Sequence, residues 1–385
     1  MSDLSQLMQA PGAGLEADDD FERINSLYTE KGWGDGLPIV PPTAARVEKM
    51  LAYCDRPLDQ PLGLVAPRYG EATPLRLAAN AVMAGCKPEY FPLVMLAIDA
   101  LVDERFNLYG VSATTHPCTT LIIVNGPVAK ELNMNSGHNA FGPGNQANAT
   151  IGRAVRLAML NIGGAVPAVG DMATFGTPAK YTFCAAENED ASPWEPLQVE
   201  LGYARDVSTV SVFGAESPHN LNDHESITGL GLLKMMAGVV AATGANNLYF
   251  DGAPAFVFGP EHAKTIARDG YSKADVKRYL FEHGRVPLGM LSDENIDRRI
   301  RQWPVFNGEF AEAGLDRKVP VMKNPDNAYV FVIGGAGKHS AYIPTFGATH
   351  PVTLPLKTSD GKFAKSVEEF RRKKKRPQNS VRPDV

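Results

Sequence analysis

The stretch Thr119-Thr120-Leu121-Ile122-Ile123-Val124-Asn125-Gly126-Pro127 decides the fold. Its β-branched and aliphatic run from Thr119 to Asn125 predicts a buried strand, and Gly126-Pro127 turns the chain into a helix over Val128 to Leu132. The same order recurs at Ala255-Phe256-Val257-Phe258-Gly259-Pro260, continuing as a helix from Glu261 to Arg268. A third apolar strand, Ala328 to Ile333, ends at Gly334-Gly335. Together these predict an α/β fold: a mixed sheet with recurring strand-Gly-Pro-helix units and helices packed on it. The corners share few residues, so two related halves remain an open expectation.

Outward from these corners, helices are expected at 20–31, 44–53, 72–85 and 88–102. The last is apolar nearly all round, which predicts deep burial. A long amphipathic helix is expected over Ala147 to Ile162 and strands near Lys180–Cys184 and Ser208–Phe213. Asn222-Asp223 offers caps for a helix from His224 to Ala242. Residues 1–20 read as a flexible acidic leader, 21–360 as a single compact body, with two lobes of about 21–205 and 206–360 as the open alternative, and 361–385 as a basic tail.

Composition narrows the function class. The chain has 385 residues with 44% hydrophobic and 21% charged, so it folds, and its 36 glycines and 29 prolines make it loop-rich. A net charge of −5 argues against a nucleic-acid binder, and no apolar run is long enough to span a bilayer. Without a signal-peptide order at Met1 to Phe21, a cytoplasmic location is expected. Cys54, Cys86, Cys118 and Cys184 are far apart and fit neither a disulfide framework nor a structural zinc site.

Five polar segments are candidates for chemistry. Asn135-Ser136-Gly137-His138-Asn139-Ala140-Phe141-Gly142-Pro143-Gly144-Asn145-Gln146-Ala147-Asn148 feeds a helix start, where free amides attract an anion. Asn139, Gly142, Gly144, Asn145 and Asn148 are its binding candidates and His138 its acid–base candidate; a tight structural turn is the alternative. In Ser112 to Thr120, His116 would assist Cys118 as a nucleophile or redox thiol, although an extended chain separates the two by about 6–7 Å. In Tyr181 to Pro196, Glu187 and Glu189 share a face and suit proton transfer or metal ligation, with Asn188 pointing away. His219, His224 and Glu225 form an alternative metal set, without the spacing of a helical zinc motif. Gly334-Gly335-Ala336-Gly337-Lys338-His339-Ser340 fails the P-loop pattern at Val332 but offers Lys338 and His339 to an anionic substrate. Asp35 and Trp33, held in a Gly/Pro-rich loop, read either as a lid over the site or as a strap.

The run Trp33-Gly34-Asp35-Gly36-Leu37-Pro38-Ile39-Val40-Pro41-Pro42, the segments Ala81–Tyr90 and Asn135–Gly144, and the stretch Lys180–Pro196 resemble a poorly characterised bacterial family. Its W-x-D-G-L-P-x-x-P-P segment also accompanies proteins with a U/C-G-S-C thiol or selenol motif. The resemblance spans about residues 30–290; because this chain has neither CGSC nor CxxC, it implies a redox thiol pair either on a separate small (seleno)thiol partner or assembled in space from Cys86, Cys118 and Cys184.

The leading expectation is an enzyme that acts on a small, carboxylate-bearing anionic metabolite by thiol-assisted lyase or redox chemistry. Two alternatives stand beside it: a metal-dependent lyase or hydrolase, and a non-catalytic subunit of a (seleno)thiol redox complex. No cofactor is expected, with a divalent metal as the open alternative, and a homo-oligomer is expected.

Overall fold

In the computed structural model, which describes residues 15–250, 252–302 and 308–372, the first Gly-Pro strand is β1 (Thr119–Asn125), buried along all seven residues. It lies in a four-stranded sheet with β2 (Cys184–Ala186), β3 (Thr209–Ala215) and β8 (Val352–Pro355), in the order β8-β3-β1-β2. A second sheet holds β4 (His219–Asn222), β5 (Ala255–Phe258), β6 (Tyr329–Val332) and β7 (His339–Ile343), in the order β6-β5-β7-β4.

The two sheets repeat one plan. In each, a central strand pairs parallel with one edge strand (β1 with β2, β5 with β6) and antiparallel with the other central strand (β3, β7). The remaining edge is exchanged: β4 follows β3 in the chain yet pairs with β7, and β8 follows β7 yet pairs with β3. A division at residue 205 therefore does not coincide with the sheets, because β3 belongs to the first. The Gly-Pro corners correspond in position but not in detail. Gly126 sits at φ 87°, whereas Gly259 has φ −63° and follows Phe258, which faces the helices rather than the other sheet.

Strand alternation explains the layering. Leu121 and Ile123 of β1, Phe213 of β3, Val257 of β5, Phe331 of β6 and Ile343 of β7 point between the sheets and form one core cluster. Their neighbours Ile122, Val124, Val210 and Val212 face helices α2 (Ala44–Leu51), α3 (Pro74–Ala84), α4 (Phe91–Leu101) and α5 (Gln146–Asn161), following the peripheral α1 (Phe21–Lys31). On the other side, Phe256, Phe258, Val330 and Val332 face α6 (Gly229–Val240), α7 (Pro260–Arg268) and α8 (Lys273–His283). The molecule is thus a helix–sheet–sheet–helix sandwich. Helix α5 lies so close to β2 that a Cβ on Gly152 would meet Thr182 Oγ1 at 2.3 Å, which accounts for its small-residue face.

Several expectations need correction. Asn222 is the last residue of β4, and the cap of α6 is Thr228, whose side chain accepts from the Gly231 amide. The packed body continues past residue 360: Ala364, Val367 and Phe370 are buried in the first core, and Arg372 hydrogen-bonds back to Ala52. Residues 1–14 of the expected leader and 373–385 of the expected tail lie outside the described residues. Among the described residues no helix is long and apolar enough to cross a membrane.

Candidate functional site

The carboxyl ends of the two parallel strand pairs meet. Beyond β2, the Asn188 amide donates to Val332 O of β6 at 2.8 Å, and its side-chain amide donates to Gly334 O at 3.0 Å. The Gly334 amide donates in turn to Ser136 O at 2.9 Å, which draws the Asn135–Asn148 loop onto the glycine-rich loop after β6. Such strand ends are where open α/β sheets bind ligands. A Cβ on Gly335 would lie 2.2 Å from the His138 ring, so only glycine lets the imidazole rest there. His138 is exposed. Lys338 reaches His224 O at 2.7 Å, and His339 donates from Nδ1 to Asn220 Oδ1 at 3.0 Å. Four of the five polar segments therefore converge here.

Under this rim lie two carboxylates, Glu187 buried and Glu189 half-buried. Glu187 Oε2 accepts from Asn125 Nδ2 at 2.6 Å and from the Leu197 amide at 2.9 Å. Glu189 Oε1 accepts from the Gly126 amide at 2.6 Å, and its other oxygen accepts from Gln198. Both acids thus reach the end of β1, as a shared face requires, and Asn188 points the other way. Burial pushes the Glu187 carboxyl above the usual range; Lys273, the Leu197 amide and Asn125 oppose this only in part.

That shift sets a pH dependence. Folding favours the protonated form of Glu187, so this contribution is present below the unfolded value of 4.5 and is lost as pH rises through the raised folded value. Glu187→Gln removes the term. Its melting temperature relative to the parent is expected to climb as pH increases from about 4.5. A gap that stays constant from acid to neutral pH would contradict the assignment.

The thiol half of the expected centre lies elsewhere. Cys118 precedes β1, whereas Glu187 sits at its far end; seven steps of about 3.3 Å separate them by roughly 23 Å. Cys118 is 1% exposed, and burial pushes its thiol up to about 12. His116 does not face it: Nε2 contacts Glu216 Oε1 at 2.6 Å, and the ring stacks on Phe346. A cavity of about 10 Å³ near Thr119, Arg156 and Lys180 has room for one water at most. Burial also raises Cys54, Cys86 and Cys184. Iodoacetamide is accordingly expected to leave Cys118 unmodified in the native protein at neutral pH and to modify it in urea, read by peptide mapping. Rapid native labelling of Cys118 would contradict this.

Other expected residues take structural roles. Asp35 forms a two-point ion pair with Arg153 of α5, its side chain only 4% exposed, so the Gly/Pro-rich loop is a strap tied to α5. At the α5 start, Asn145 accepts from the Asn148 amide and Asn148 ties Asn135 to Ala140. Asn139 Nδ2 donates to Pro143 O across a loop in which Gly142 is half-buried and Gly144 exposed. The loop is braced by its own side chains, and Ala147 and Asn148 are buried. Its exposed imidazole is His138. His219, His224 and Glu225 do not gather: His219 lies on the strand face of Leu221, and among the described residues no three His, Cys, Asp or Glu side chains could hold a metal.

Sequence reasoning missed Asn220, which orients His339, and Glu261, which accepts from the Gly337 amide at 2.7 Å. Both depend on the pairing of β4 with β7 and on the α7 start, neither of which leaves a local motif. No protein-family model matches the chain, and no curated protein matches it.

Proposed function

We propose that the chain is an enzyme that binds a small carboxylate-bearing metabolite over the carboxyl ends of β5 and β6 and moves protons there. The observation that carries this reading is the convergence of His138, Lys338 and His339 on one glycine-rich rim. Lys338 supplies the cation for the carboxylate, and the exposed His138 imidazole is the acid–base group. Helix α7 adds an N-terminus whose cap, Gly259, brings no side chain to its free amides. A proton abstraction or elimination suits these groups.

The test is calorimetric titration with a panel of mono- and dicarboxylates and inorganic phosphate. At least one carboxylate is expected to bind the parent, with tenfold or greater weakening in His138→Ala and Lys338→Ala at unchanged melting temperature. Equal binding by both variants, or no binding of any panel member, would count against the reading.

A second reading is favoured by the burial of Cys54, Cys118 and Cys184. Any thiol chemistry implied by the family resemblance would then come from a small (seleno)thiol protein docking on this chain. A purified CGSC protein that fails to co-elute with the chain would remove it.

A further inference from the structure

The rings of His224 and His339 are brought together from opposite ends of the second half, with Nε2 atoms 3.4 Å apart and ring planes crossing at 79°. That separation is at the long end for a hydrogen bond, N–H···O bonds spanning about 2.7–3.2 Å. It matches two imidazoles on one tetrahedral ion: nitrogens at about 2.0–2.1 Å from a zinc lie about 3.3–3.4 Å apart. We infer that His224 and His339 form a two-histidine site for a borderline divalent transition metal such as Zn2+ or Co2+.

The surroundings support this. Asn220 Oδ1 accepts from His339 Nδ1 at 3.0 Å, which leaves the lone pair on Nε2, the usual outer support of a metal-bound histidine. Lys338 Nζ donates to His224 O and holds the backbone that carries the second ring. His262, next to His339 in space, is not a ligand: its two ring nitrogens contact Ser340 and the Asp223 carbonyl, and burial lowers its pKa. Both proposed ligands are exposed, so water or a ligand carboxylate completes the coordination. Imidazole ligands select Zn2+, Co2+, Ni2+ or Cu2+ over Mg2+ and Ca2+.

The site shares a rim with the proposed metabolite site but does not rest on it, since metal binding is measured without any carboxylate present. Chelator-stripped full-length protein is titrated with Co2+, read by visible absorption, and with Zn2+, read by calorimetry. One equivalent is expected to bind the parent. His224→Ala and His339→Ala should each lose the absorption band, Asn220→Ala should bind about tenfold more weakly, and His219→Ala should bind as the parent does. Melting temperatures of the four variants control for folding. Absence of a Co2+ band in the parent, or its persistence in both His224→Ala and His339→Ala, would overturn the inference. Carboxylate binding in the presence of chelator tests the metabolite reading separately.

Discussion

Asp171→Ala is expected to lower stability by about 3–5 kcal/mol, the loss typical when one partner of a buried ion pair is removed. Asp171 accepts from Arg156 at 2.8 Å and from Lys180 at 2.6 and 2.7 Å, and the three side chains are 5%, 10% and 14% exposed. Burial alone would raise the Asp171 carboxyl, yet the Lys180 hydrogen bond and the charges of Lys180 and Arg156 hold it below the usual range. Alanine leaves two cations facing each other with little water. The triad also joins α5 to the loop that leads into β2, so its loss loosens the first sheet as well. Urea unfolding of parent and variant measures the difference. A loss below about 1 kcal/mol would mean that water already solvates the triad.

Phe213→Ala is expected to cost a similar amount, about 3–5 kcal/mol. Phe213 is fully buried on β3 and meets Tyr329 and Phe331 of β6 edge to face, with ring centroids 5.1 and 5.6 Å apart. These contacts cross from one sheet to the other, so the missing ring leaves a cavity in the layer that unites the halves. Phe363→Ala, at a site 44% exposed, should change stability by no more than about 0.5 kcal/mol in the same urea experiment. If both variants unfold at the parent's midpoint, the inter-sheet layer does not carry the fold.

Much of the central frame was readable from local chemistry. β1 and β5 begin and end where their β-branched and aromatic runs do, and α5 starts after Asn145, whose side chain caps it. Three strands of the two main sheets carry no local strand signal. β4 is His-Asn-Leu-Asn with one buried residue, β7 emerges from the glycine-rich loop, and β8 follows Pro351 and ends on Pro355. Each is a strand because of a long-range partner rather than its own propensity. These are also the strands of the exchange, β4 and β8 being the exchanged edges, so the relation of the halves was hinted at by the Gly-Pro corners but lay beyond local reading.

The site divided along the same line. Glu187, Glu189, His138, Lys338 and His339 were picked out from polar residues at strand ends and glycine-rich turns, and they do lie at one end of the molecule. Cys118 and His116 were joined to them because hydroxyls, imidazole and thiol clustered before a strand. Position along β1 decides otherwise: a strand has two ends, and sequence proximity does not say which end faces a given loop. Asp35 was drawn in by its rigid loop, and only the fold reveals Arg153 waiting for it.

A crystal structure of the full chain soaked with malonate addresses the site most directly. Expected is a malonate whose carboxylates lie within hydrogen-bonding distance of His138 and Lys338, over the loop from Gly334 to Gly337. Malonate bound beside Thr119 and Lys180 at the opposite end of β1, with the glycine-rich rim empty, would contradict it.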